Sequence, residues 1–244
     1  METINYKELK INQRIGKGHF SETYEAEFNG ESYCFKFIYE NYSKEVIKNI
    51  IKLTEINFKE KFLAPIYLVI TESKTIIGYI SKFDPTLTHI DKIIGKDIRL
   101  LKNARKTIEE LHEQHSLIHG DLSKDNILFN PRTCNSYLID FDTSFKQGTN
   151  ISDELTNKYF RIFVKEYLNK YKYDFGLDIY TFNLTTLMVL CGYQKYNEKM
   201  IEQILENKFE FIEGNEKIKK LTKELLLNDT KKRYSNEYII NYLK

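Results

Sequence analysis

What the 244 residues lack narrows the field first. The chain has no cysteine framework. Cys34, Cys134 and Cys191 stand far apart, with no C-x-x-C spacing. That count and separation argue against a disulfide scaffold or a cysteine-ligated zinc site, and fit a reducing compartment. The five histidines show no metal-ligand spacing. The opening segment "METINYKELK" is polar and carries no apolar signal-peptide core. The longest apolar run, near "LTTLMVLCGY" (184–193), is too short to span a bilayer. The expectation is a soluble intracellular chain without membrane insertion. Charge of one sign is missing as well: 37 Lys and Arg face 35 Asp and Glu, interspersed, for a net +2. Nothing there attracts nucleic acid in bulk. "KNARK" (102–106) and "KKR" (231–233) read as solvated faces. No internal repeat or low-complexity linker divides the chain.

What is present is an ordinary globular composition, 41% apolar and 30% charged. Its length fills one large core or two lobes sharing a cleft. The first ninety residues are strand-rich: "KINQRIGKG", "SETYEAEF", "ESYCFKFI", "FLAPIYLVI" and "KTIIGYISKF", with turns at "FNGE" and "TESK". One helix interrupts them over 42–53, with Val46, Ile47, Ile50, Ile51 and Leu53 as its apolar stripe. From about residue 90 the pattern turns helical: 97–115 is amphipathic, and 178–193 is apolar nearly all round and therefore buried. Further helices are expected around 197–207, 215–228 and 235–243. The fold class is α+β. A single domain is expected, with a β-rich small lobe over about 1–82, a helical large lobe over about 85–244, and the cleft between them as the default ligand site.

Four stretches carry chemistry. "RIGKGHFSETY" (14–24) is a glycine-containing loop between β-prone runs. It leads into a strand rather than a helix, so the helix-dipole device of dinucleotide-binding folds is missing. Taken alone, it could equally be an ordinary glycine-containing hairpin. Lys36 stands mid-run in "YCFKFI". It either points inward and needs an anionic partner, or points outward from an edge strand. "HGDLSKDNILFN" (119–130) is followed by "YLIDFD" (137–142), which sets Asp140 between Ile139 and Phe141. An unpaired buried carboxylate costs several kcal/mol, so a metal ion or ligand must compensate it.

In this order, the loop, Lys36, "HGDLSKDNIL" and "IDFD" resemble the signature set of the protein kinase superfamily. "DIYTFNLTTLMVL" (178–190) resembles that family's buried large-lobe helix, with Asn183 in a glycine's place. "NDTKKRYSNEYII" (228–240) resembles its closing segment. "VKEYL" (164–168) lies at the A-P-E position, which makes Glu166 and Arg233 a candidate ion pair. The resemblance covers about residues 8 to 243. It implies a bilobal protein-kinase-like fold with ATP and Mg²⁺ as cofactors. It further implies ATP binding by Ile15, Gly16, Lys17, Gly18, His19, Phe20, Ser21, Thr23 and Lys36, with Lys36 on the α and β phosphates. Asp121 is implied as the catalytic base, and Asn126 and Asp140 as metal ligands. Glu45 is the first candidate for the acid that orients Lys36, and Glu55 the second. His119 and Phe141 read as packing residues.

Three positions depart from the pattern. Gly120 replaces the arginine of H-R-D, Ser123 stands where Ser/Thr kinases carry a lysine, and Asp142 replaces the last glycine of D-F-G. "HGDLS" with "IDFD" resembles RIO-type, aminoglycoside and choline kinases, whereas the closing segments resemble protein kinases proper. The reading is a Ser/Thr protein kinase acting on a protein substrate. A small-molecule phosphotransferase and a nucleotide-binding pseudokinase are the alternatives. Without an arginine at 120, the enzyme is expected to work without phosphorylation of Thr143, Ser144, Thr149, Ser152 or Thr156, its loop being ordered by "YFRIFV" (159–164).

Overall fold

The computed structural model describes residues 2–18, 21–40, 42–93, 99–147, 163, 165, 167–168, 174–193, 196–206, 208–212, 216–217 and 219–220. The chain divides into two compact units: 1–87 with 138–143, and 88–137 with 144–244. The linear division expected near residues 82–85 therefore shifts slightly, and one short later segment joins the first unit.

In the first unit, β1 (Thr3–Asn5), β2 (Lys10–Lys17), β3 (Ser21–Phe28) and β4 (Glu31–Ile38) precede helix α1 (Lys44–Leu53). After it come β5 (Phe62–Leu63), β6 (Tyr67–Ile70) and β7 (Ile76–Lys82). Six of these strands form one sheet in the order β1-β6-β7-β4-β3-β2, with β1 parallel to β6 and the rest antiparallel. The expected run "FLAPIYLVI" is two strands, because Pro65 between them has no amide for a ladder. Ile4, Leu9, Ala26, Phe35, Val69 and Ile80 pack as the core on this sheet. In α1, Ser43 caps the first turn through Oγ to the Glu45 amide, 3.2 Å. Val46, Ile50 and Leu53 are its buried stripe at helical spacing. Gly78 on β7 is a point of close approach: a Cβ there would overlap the Lys36 carbonyl and stand 2.9 Å from the Phe35 ring. Leu138 and Ile139 pair in parallel with Phe62 and Leu63, so that segment returns to the strand-rich unit.

The second unit holds β8 (Thr88–His89), α2 (Ile90–Ile93), α3 (Arg99–His115), β9 (Leu117–Ile118) and β10 (Ile127–Phe129). Then come β11 (Ser136–Ile139), whose last two residues are the pair just described, β12 (Phe145–Lys146), α4 (Phe175–Leu190) and α5 (Glu198–Leu205). On α3, Leu100, Leu101, Ala104, Ile108 and Leu111 are buried at helical spacing. α4 begins three residues before its expected start because Asp174 caps it, accepting from the Gly176 amide at 2.9 Å. It is buried on every side from Leu177 to Ile179 and from Thr181 to Met188, as an all-round apolar helix must be. Leu177, Leu184, Leu187, Ile118, Phe163 and Ile204 are among the residues of the core around it. No described helix is long and apolar enough to cross a membrane. The helix expected at 235–243, the Glu166–Arg233 pair, and Thr149, Ser152 and Thr156 lie outside the described residues, as does most of the "YFRIFV" segment.

Candidate active site

Lys36 sits in the middle of β4, opposite Thr23 on β3 and Tyr79 on β7. It is therefore on an interior strand, and its side chain turns inward, 13% exposed. An inward ammonium needs anions, and two aspartates supply them. Its Nζ bonds Asp140 Oδ1 across 104 residues of chain and lies 2.7 Å from Asp142 Oδ2. Burial pulls the lysine's pKa down. The Asp140 and Asp142 charges outweigh that and hold it above the ordinary lysine range.

The aspartates are not equivalent. Asp140 is 38% exposed, with a backbone φ of 64° in the left-handed region, which an aspartate tolerates at some cost. Asp142 is 3% exposed. It accepts a hydrogen bond from Tyr42 Oη at 2.6 Å and another from Tyr79 Oη. Burial pushes the Asp142 carboxyl up, yet the Lys36 charge and the hydrogen bonds from Lys36, Tyr42 and Tyr79 bring it below the ordinary carboxylate range. Its own burial, and then the charge of the same carboxylate, drive the Tyr79 phenol well above its usual value. Between the two acids, Phe141 is fully buried against Phe58 and Phe62, a packing residue as expected.

The two glutamates expected to orient Lys36 stand away from it. Glu45 is exposed on the first turn of the helix, and Glu55 is exposed beyond its end. Neither reaches Lys36, whose Nζ is taken by Asp140 and Asp142. The physical reason is phase: Val46, Ile50 and Leu53 set the buried face. The polar residue of α1 that meets the acidic segment is Asn49, whose Nδ2 donates to the Asp142 carbonyl at 3.0 Å. No sequence motif assigns a role at Lys36 to Asp142, Tyr42, Tyr79 or Asn49. An acid in the glycine's place at the end of "LIDFD" was the visible signal for Asp142. The tyrosines lie 63 and 100 residues from it and gave none.

The glycine-containing loop is a hairpin between β2 and β3, with Gly16 opposite Thr23 and Lys17 opposite Glu22. The Gly18 amide donates to the Ser21 carbonyl at 2.8 Å. Ser21 is buried, Thr23 half-buried, and Ile15 is exposed at 44%. His19 and Phe20 at the tip lie outside the described residues. Glu22 binds Arg14 at 3.0 Å, which ties β3 to β2, and accepts from Tyr24 Oη on its own strand.

In the second unit the 119–126 segment is held by a fully buried acid, Asp178 of α4. Its Oδ2 accepts from the His119 amide at 2.7 Å and meets His112 Nε2 at 2.8 Å, and its Oδ1 accepts from the Gly120 amide at 2.9 Å. Gly120 has φ of 80°, a left-handed conformation that glycine adopts without steric cost. His119 is itself fully buried. Asn126 Nδ2 donates to both the Asp121 carbonyl, 2.8 Å, and Asp121 Oδ2, 3.0 Å. That leaves Asn126 Oδ1 as the atom of the amide able to ligate a hard cation. Ser144, one of the expected phosphosites, is fully buried and donates from Oγ to the His119 carbonyl at 3.2 Å.

With this geometry in view, comparison with known proteins is direct. The family model described as "Protein kinase domain" matches residues 9–243. A relative from Dictyostelium discoideum, "Probable serine/threonine-protein kinase pXi", is 22% identical over 251 residues, covering 97% of this chain and 36% of that protein. The chain thus spans about a third of that relative's length.

Proposed function

The chain belongs to the protein kinase domain family, and from that premise we propose that it is an ATP- and Mg²⁺-dependent Ser/Thr protein kinase. The observation that carries the reading is the union of Lys36 with Asp140 across 104 residues of sequence. A buried lysine needs an anion, and here a partly exposed carboxylate supplies it.

The residues suit the chemistry. Lys36, inward on a rigid sheet, is a fixed cation for phosphate oxygens. Gly16 and Ser21, on the paired ends of β2 and β3, would cover them, with Ile15 and Thr23 beside them. Asp140 and Asn126 Oδ1 would be the hard oxygen ligands of Mg²⁺, which is commonly held by one or two protein oxygens with phosphates and water. When bound, the metal supplies charge neutralisation on the phosphates. Asp121, its Oδ2 steadied by Asn126, takes the proton of the acceptor hydroxyl as that oxygen attacks the γ phosphorus. The new oxygen–phosphorus bond forms as the bond to the β-phosphate oxygen breaks, and ADP leaves with the electron pair. Asp178 fixes the backbone on which Asp121 stands.

A protein rather than a small molecule as acceptor is supported by the match over 9–243 and by the name of the Dictyostelium relative. The deciding experiment incubates purified protein with γ-labelled ATP and Mg²⁺, with a generic protein acceptor and with a panel of small hydroxyl compounds. Label on serine or threonine of protein, absent with Asp121→Ala, is the expected result. Label on a small molecule alone, or nucleotide binding without transfer, overturns it.

A further inference from the structure

We propose that Asp142 is the positioning acid of Lys36, the role that sequence reasoning gives to a glutamate of α1. This rests on the phosphotransferase reading and assigns one more residue to it. The argument is one of exposure and supply. Lys36 has two carboxylates, and a cation bound at Asp140 competes with the lysine for that one. Asp140 is open enough for this at 38% exposed. Asp142 is not: at 3% exposed, it is locked by Tyr42 Oη, Tyr79 Oη and Lys36 Nζ. A lysine that must stay aimed at phosphate while Asp140 serves a metal needs a second anion that does not move, and Asp142 is that anion.

The helix takes the complementary part. Asn49 carries no charge for Lys36. Through Nδ2 it grips the Asp142 main chain at 3.0 Å, so α1 holds the segment that bears the acid instead of bearing the acid itself. Glu45 on the same helix points to solvent. An acid where the family pattern has glycine and the absence of an inward glutamate on α1 are thus two sides of one exchange. A buried ion pair is no evidence of function by itself. What favours a positioning role is the asymmetry between the two acids around one ammonium. Among the described residues, the other ionisable groups near Lys36 are Cys34, whose thiol burial pushes up to about 12, and the Tyr42 and Tyr79 phenols.

The test moves the carboxylate. Asp142→Asn keeps the shape and removes the charge. Turnover is expected to fall roughly 10²-fold, the scale of a misplaced reacting group, with KM for ATP changed much less. Asp142→Gly is expected to lose as much, and adding Asn49→Glu to it, which returns an acid from the helix, to recover most of the loss. A merely structural aspartate would not be rescued by a charge supplied from another element. The nucleotide-free protein gives a reading independent of activity. The Lys36 ammonium should appear in ¹⁵N-resolved spectra as a protected signal, with a coupling across the hydrogen bond to the Asp142 carboxylate carbon. That measurement needs no variant, so it decides even if Asp142→Asn fails to fold. A visible Lys36 signal without that coupling, wild-type turnover in Asp142→Asn, or no gain from Asn49→Glu each overturns the assignment. If the wild type transfers phosphate to no acceptor, the phosphotransferase reading falls, while the coupling still reports whether Asp142 holds Lys36.

Discussion

Asp142 in the strand-rich unit and Asp178 in the helical unit are both shut away from water, yet they are satisfied by opposite means. Asp142 is met by side chains: one ammonium and two phenols. Asp178 is met by two backbone amides and an imidazole. A carboxylate paired with a side-chain cation orients something that reaches and can be retuned by moving one charge. A carboxylate paired with main-chain amides dictates backbone conformation, and nothing but another acceptor of the same geometry replaces it. The first unit therefore spends its buried acid on aiming a lysine. The second spends its own on shaping the turn that presents Asp121.

The largest effect expected breaks the chemistry and leaves both frameworks standing. Asp121→Ala should lose roughly 10²- to 10⁴-fold in turnover. Its denaturant unfolding should stay within about 1 kcal/mol of wild type. A variant with undiminished transfer would remove Asp121 from the mechanism. Next comes the framework itself. Asp178→Ala orphans two buried amides that donate to a charge, each bond worth about 1.5–3 kcal/mol, so a loss of about 3–6 kcal/mol is expected in equilibrium unfolding. Asp142→Ala should cost less, because Lys36 keeps Asp140. Equal losses in the two variants would erase the distinction drawn between them.

A smaller effect is expected from Gly78→Ala. The new methyl group meets the Lys36 carbonyl and the Phe35 ring, and overpacking of this kind costs about 1–3 kcal/mol. Because the strand that shifts carries Lys36, nucleotide affinity should fall together with stability. Thermal unfolding and ATP titration on the same sample check whether the two move together. The smallest is Glu45→Gln. An exposed helical residue that touches neither aspartate should change stability by less than about 0.5 kcal/mol and leave turnover near wild type. A deep loss of turnover there would return the orienting role to α1 and count against Asp142.

By itself the sequence determined everything that depends on neighbours along the chain. Alternating and helical apolar periods marked β2, β3, β4, α1 and α3 to within a few residues, because those patterns are written in consecutive side chains. The ordered motifs single out Lys36, Asp121, Asn126 and Asp140, since each motif is short and local. Two-residue strands such as β8 and β12 were not legible, because pairing with a distant segment, not local propensity, creates them. The partner of Lys36 was beyond reach for the same reason. Which acid meets it depends on the rotational phase of α1 and on where residues 138–143 return to the strand-rich unit. Only tertiary packing decided that Glu45 faces water and that Asp142 is sealed beneath two tyrosines. A charge is assigned its partner by the distance at which burial leaves it, and the order of residues along the chain does not contain that distance.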